Sequence, residues 1–248
     1  MLTFDFYIAL LLGAAAGGFI NGLAGFGTAM FALGIWLQVI PPVQAVSIVV
    51  IISVVSGFQG VWIVRHTVHE HVGRLARFLV PGLLGIPFGV AALSVIEPKA
   101  LKIGVAGIMV LYGGFFSIRK SLPRFERPTP YWDGVVGFLG GLLGGAASLS
   151  GALPTIWCSM RPWPKSQTRA VLQPFNIVIL ALTAGALAIK GAYDRETLKL
   201  LAMALPVALI FAQIGIALFK RLGDDQFRRL LITMMFAGGL ILMLKELV

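Results

Sequence analysis

The sequence predicts an all-α, polytopic membrane protein. It would be built as two inverted repeats, each a Gly-broken helical hairpin plus three transmembrane helices. Three observations carry this prediction. The chain is 58% hydrophobic and only 12% charged, with a mean hydropathy of +0.93, where a soluble domain carries about 25% charged residues. Its apolar residues fall into eight long blocks separated by short basic clusters, the pattern of a chain that crosses a bilayer repeatedly. Two of those blocks are unusually long, interrupted by glycine, and match each other.

The blocks run over 5–38, 43–64, 75–96, 100–119, 131–159, 168–189, 198–219 and 228–246. Most are close to the ~20 residues that span ~30 Å of hydrocarbon. The first is too long: as one helix it would reach roughly 50 Å. From Gly17 to Trp36 it reads GGFINGLAGFGTAMFALGIW. The fifth, YWDGVVGFLGGLLGGAASLSGALPTIWCS, is broken in the same way. The opening MLTFDFYIALLLGAAAGG resembles a signal peptide with an Ala-x-Ala site at Ala14 and Ala16. It lacks a basic n-region and carries Asp5, so it reads as a first membrane segment that is retained. Cys158 is the single cysteine, which excludes an internal disulfide, and it reads as a small buried residue.

With a shift of 124, Gly13, Gly17 and Gly27 fall on Gly137, Gly141 and Gly151. With a shift of 125, Pro81 falls on Pro206, and Leu111–Gly114 falls near Phe236–Gly239. The repeats are therefore residues 1–120 and 131–248. Between them lies a linker at 121–130, within the Pro-rich, charged stretch RKSLPRFERPTPYWD. Loop charge chooses the topology. If each long block crosses once, the two sides hold 11 and 9 basic residues; if each is a hairpin that returns to its own side, they hold 14 and 6. The positive-inside rule selects the hairpins. Each half then crosses an odd number of times, so the halves are inverted and both termini are non-cytoplasmic. Charge leaves open whether the hairpin arms are full spans or re-entrant.

Broken helices inside a bilayer are tolerated where protein or a water-filled cavity covers them, and in inverted repeats they mark a midplane site. The first break is NGLAGFGT and the second GGAASLSGALPT. Glycine permits φ > 0 and close approach of backbone to ligand. Each restarted helix offers free N–H groups and a partial positive charge. The expected substrate-binding residues are Asn21, Gly25, Gly27 and Thr28 on one wall and Ser148, Ser150, Gly151 and Thr155 on the other. Arg169, Gln173 and Asn176 join them, on one face of the following helix in SQTRAVLQPFNIV. Arg169 is expected to draw anions in from the cytoplasmic side. No Asp or Glu falls within the core of any block, which argues against a cation substrate and a carboxylate proton relay. The site reads as one for a small anion.

Other classes fit poorly. The net charge of +10 comes from Lys and Arg at membrane ends, not from a basic face interleaved with aromatics, so no nucleic-acid partner is expected. The cluster RHTVHEHVGR holds His66, His69, His71 and Glu70, but it is not an HExxH motif and reads as a solvated loop. No metal, no cofactor and no enzymatic nucleophile–base pair is expected. The expected partners are the small anion and membrane lipid; a homo-oligomer stays open.

The glycine-rich opening block, the second-half GFLGGLLGGAASLSGALPT and the four-plus-four hydrophobic pattern together resemble the TauE/SafE family over almost the whole chain. Family members commonly carry more glycine where this chain has Ser148 and Ser150. The resemblance implies a bacterial, archaeal or plant membrane permease that exports sulfite or organosulfonates. On this reading the chain is a secondary transporter of the bacterial cytoplasmic (inner) membrane, an exporter working by alternating access. Two rivals use the same features. An anion channel would use the breaks as a filter, and a non-transporting scaffold or assembly factor would use the small-residue faces to bind partner helices.

Overall fold

The computed structural model of the chain describes residues 4–93, 95, 97–118 and 125–247. Arg119, Lys120, Arg124 and the start of the predicted linker, 121–124, lie outside them. The described residues form α1 (Phe4–Ala24), α2 (Thr28–Trp36), α3 (Pro42–Glu70), α4 (Val72–Leu93), α5 (Pro98–Ile118), α6 (Pro130–Ala147), α7 (Ala152–Ser159), α8 (Lys165–Ile189), α9 (Arg195–Arg221) and α10 (Asp224–Leu247), with no strand among them. Five of these, α1, α3, α4, α8 and α9, are long and apolar enough to cross a bilayer. Several start where the chain dictates: Pro42 and Pro130 sit in first turns, where a missing N–H costs nothing. Asp194 caps α9 by accepting the Thr197 N–H at 2.8 Å, which holds its carboxyl below the usual range.

The histidine stretch departs from expectation. It is helical, the last turns of the 29-residue α3, and turns only at His71. No Gly or Pro interrupts VWIVRHTVHE, so the helix runs on past the apolar block. Among the described residues, no His, Cys, Asp or Glu group is arranged to hold a metal ion.

Both long blocks are helical hairpins. A methyl group on Gly17 would meet Thr28, and one on Gly13 would meet the Trp36 ring, so α2 runs back along α1. The Trp36 indole N–H donates to Leu10 O at 3.1 Å and closes the pair. In the second block Gly144 faces Ser150, Gly140 faces Pro154, and the Trp157 indole N–H donates to Asp133 Oδ1 at 2.7 Å. The second arms, of nine and eight residues, reach roughly 12–14 Å at 1.5 Å per residue.

Between helices the packing comes in matched pairs. α1 packs on α9, and α6 on α4. A methyl on Gly18 or Gly22 would lie 2.2 or 2.0 Å from Ala208 O or Ala212 O; one on Gly137 or Gly141 would lie 2.2 or 1.8 Å from Phe78 O or Gly82 O. Both contacts advance in the same direction along the two chains, so both pairs are parallel. Glycine is required here because the partner is backbone carbonyl, which cannot move aside. In contrast, α3 meets α8 with Gly57 on Ile177 and Gly60 on Gln173, and α5 meets α10 with Gly113 on Phe236 and Gly239 on Met109. Those two pairs are antiparallel. Exchanging α1–α5 with α6–α10 returns every one of these pairings.

Candidate substrate site at the hairpin tips

The two hairpin turns solve their local backbone problem differently. In the first, α1 ends at Ala24, and Gly25 and Gly27 lie at φ 84° and 95°, a region that side chains disfavour. Gly27 precedes α2 with no side-chain cap. In the second, α6 is closed by two nested backbone bonds, one residue wider than a Schellman motif: Ser148 N–H donates to Gly144 O at 3.0 Å and Leu149 N–H to Leu143 O at 3.1 Å. The left-handed residue is Ser148, at φ 58°, whereas Gly151 is right-handed at φ −82°. The sequence assigned the positive φ of this break to glycine; Ser148 takes it, because the left-handed position that ends α6 falls there. Gly151 supplies room instead. A methyl group on it would lie 2.6 Å from the Phe26 Cβ, so the two tips touch.

The predicted polar residues are all buried. Asn21 Nδ2 donates to Ser53 O at 3.1 Å and to Ser56 Oγ at 2.5 Å, which ties the first hairpin to α3. Ser150 Oγ donates to Asn176 Oδ1, which ties the second hairpin to α8. Arg169 and Gln173 face the first hairpin. Arg169 Nη2 donates to Gly22 O at 2.9 Å, Nη1 to Leu23 O at 3.4 Å and Nε to Gln173 Oε1 at 2.9 Å. Gln173 Nε2 donates to Gly57 O at 3.2 Å, and Gly25 and Gly60 both leave space for its amide. The single face of α8 predicted from sequence therefore serves both hairpins. Arg169 is 2% exposed and lies deep in the bundle on the end of α1. Its guanidinium also stacks 4.3 Å from the Phe219 ring, which Lys165 approaches at 5.0 Å. None of these partners is a carboxylate.

Four predicted residues hold polar atoms that are buried without a hydrogen-bond partner: Asn21 Oδ1, Thr28 Oγ1, Ser148 Oγ and Thr155 Oγ1. A buried hydroxyl left unpaired costs about 1–3 kcal/mol, so such groups in one region need a reason. Three of the four can donate or accept as the hydroxyl rotates.

Sequence reasoning missed several residues. Phe26, Ser56 and Phe219 gave no signal separable from core packing. Gly57 and Gly60, in SGFQG, did signal a close approach. Asp133, at the start of the fifth block, is buried and paired to Arg161 at 3.3 Å. Arg161 also donates to the carbonyls of Arg127 at 2.7 Å and Phe125 at 3.2 Å and to Thr129 Oγ1, and Phe125 stacks on Trp157. This cluster ties the outer ends of α6 and α7 to the stretch that precedes α6.

A model of the family described as "Sulfite exporter TauE/SafE" matches residues 9–242 of the chain. Neither the curated proteins nor the solved structures offer a match.

Proposed function

Because the chain belongs to the TauE/SafE sulfite exporter family, we propose that it is a secondary carrier exporting a small anion such as sulfite or an organosulfonate, held where the two hairpin tips meet. It is an integral membrane protein by family and by its five apolar helices. The observation that carries the proposal is the set of buried, unpartnered polar atoms on Asn21, Thr28, Ser148 and Thr155. All four residues belong to the turns or to the helices that enter and leave them. Hydroxyl donors, the N-terminal N–H groups of α2 and one buried guanidinium suit an anion without requiring a metal.

The matched pairings support alternating access. Inverted repeats can exchange conformations, so that a site at their junction opens to each side in turn. In support of an orientation, the helix ends near 70, 118, 160 and 221 fall on one side of the bundle, and 11 of the 17 basic residues among those described belong to the clusters at these ends. We assign that side to the cytoplasm and both termini to the opposite side of a bacterial inner membrane.

Counterflow in proteoliposomes tests the reading. Vesicles loaded in turn with sulfite, sulfoacetate, isethionate, taurine, sulfate or a small carboxylate are exposed to the labelled counterpart. Saturable exchange of one anion is the expected result. Non-saturating flux without counterflow would make the protein a channel. Folded protein that exchanges none of them and copurifies with a partner would make it a scaffold.

A further inference from the structure

We propose that Arg169 couples anion occupancy to release of the first hairpin, by giving up the carbonyls that end α1 for the oxygens of the bound anion. This rests on the anion reading above.

The two hairpin turns are held by different means. The end of α6 is closed by its own backbone, through the Ser148 and Leu149 N–H groups on Gly144 O and Leu143 O. At the end of α1 only the Gly25 N–H returns, to Asn21 O at 2.8 Å. Gly22 O and Leu23 O are taken by Arg169, which belongs to the other half of the chain. By the shift of 124, the first-half counterpart of Arg169 is Ala45, so no arginine stands at the equivalent place.

The resting partners of this cation are neutral: two carbonyls, one amide oxygen and an aromatic face. A buried charge without a counter-charge is costly. Its two Nη groups lie on two oxygens, and an oxyanion also offers two oxygens, with charge. Charge-assisted bonds of that kind are about twice as strong as neutral ones. The guanidinium has a fixed pivot, because Nε stays on Gln173 Oε1 while Gln173 is pinned to Gly57 O. Only the Nη groups need to change partners.

Once they do, Gly22 O and Leu23 O lose their donors. The adjoining turn has two glycines at positive φ and no side-chain cap on α2. The second hairpin keeps its backbone closure and its Arg161 clamp. Anion binding therefore loosens one hairpin and not the other, which gives the exchange between states a defined moving part.

Hydrogen exchange on the full-length protein in nanodiscs tests this, with sulfite and isethionate as probes and chloride as control. Binding is read separately as a shift in melting temperature. An oxyanion that shifts melting should raise amide exchange across residues 22–28 about tenfold, as loss of one hydrogen bond of ordinary strength would, and leave 148–152 unchanged. Arg169→Lys keeps the charge but not the fork. It should weaken binding at least about tenfold and abolish the rise at 22–28. A probe that shifts melting yet leaves 22–28 unchanged or better protected overturns the coupling and spares the anion site. Absence of any shift with either oxyanion overturns both. The wild-type comparison decides the matter even where the variant fails to fold.

Discussion

Phe26 and Gly151 hold the two hairpins tip to tip, with a Cβ on Gly151 excluded by the Phe26 Cβ at 2.6 Å. The excluding atom is fixed to the backbone of a buried turn, so it cannot swing away. Gly151→Ala should therefore cost about 1–3 kcal/mol of stability, the usual range for overpacking. Phe26→Gly placed beside it removes that Cβ and should return part of that loss. Thermal denaturation of the two single variants and the double variant, in one detergent, measures the coupling. Strict additivity would mean that the tips do not meet.

The orphaned hydroxyls make the opposite kind of prediction. Removing a buried hydroxyl that has no partner takes away a desolvation cost without breaking a bond. Thr28→Val and Thr155→Val should leave stability equal or higher, since valine matches threonine in shape. If these groups contact the anion, the same variants should slow counterflow at least about tenfold, which equals ~1.4 kcal/mol of lost interaction. Ordinary core threonines would show neither effect together. Unchanged counterflow in both variants would remove them from the site.

How much of this was legible in the sequence follows from where the information sits. The two hairpins were legible because glycine clusters interrupt apolar runs at a fixed shift, and the parity of loop charge made each block return to its own side. Gly18, Gly22, Gly137 and Gly141 were visible as glycines, but their purpose was not: each faces a carbonyl of a helix distant in sequence. The polar site residues were legible as rare polar groups in apolar blocks. Their division was not, because helical spacing puts Arg169, Gln173 and Asn176 on one face without saying that the face touches two hairpins. Arg169 was expected to draw anions in from the cytoplasmic side, whereas it lies buried on the end of α1. Nothing local reveals that α1 ends beneath it. The positive φ at Ser148 was hidden by the expectation that glycine takes such positions, when the helix end alone decides which residue falls there.

Ser148 invites a test that separates fold from function. A non-glycine residue in the left-handed region costs about 1 kcal/mol, and its hydroxyl is buried without a partner. Ser148→Gly removes both burdens and should raise the melting temperature. Ser148→Ala removes only the hydroxyl and should raise it less. Reduced counterflow in both, with improved stability in the first, would assign the serine to the anion rather than to the turn. A destabilised Ser148→Gly would show that the hydroxyl has a structural partner after all.

The Asp133–Arg161 pair should behave as a clamp rather than as part of the transport path. Both side chains are nearly inaccessible, and Asp133 Oδ1 also accepts the Trp157 indole N–H. Arg161→Met alone leaves a buried carboxylate without its cation, and breaking such a pair costs about 3–5 kcal/mol. Asp133→Asn alone is milder, because the amide oxygen can still accept from Trp157 while Arg161 keeps the carbonyls of Phe125 and Arg127. Combined, Asp133→Asn and Arg161→Met remove both charges, and the double variant should be more stable than Arg161→Met by itself. Melting curves of the three proteins check the order. Counterflow per folded molecule should stay close to wild type in the double variant, since neither residue touches a hairpin tip. A double variant that folds and binds the anion but no longer exchanges it would instead show that holding the outer end of the second hairpin is needed for the conformational step.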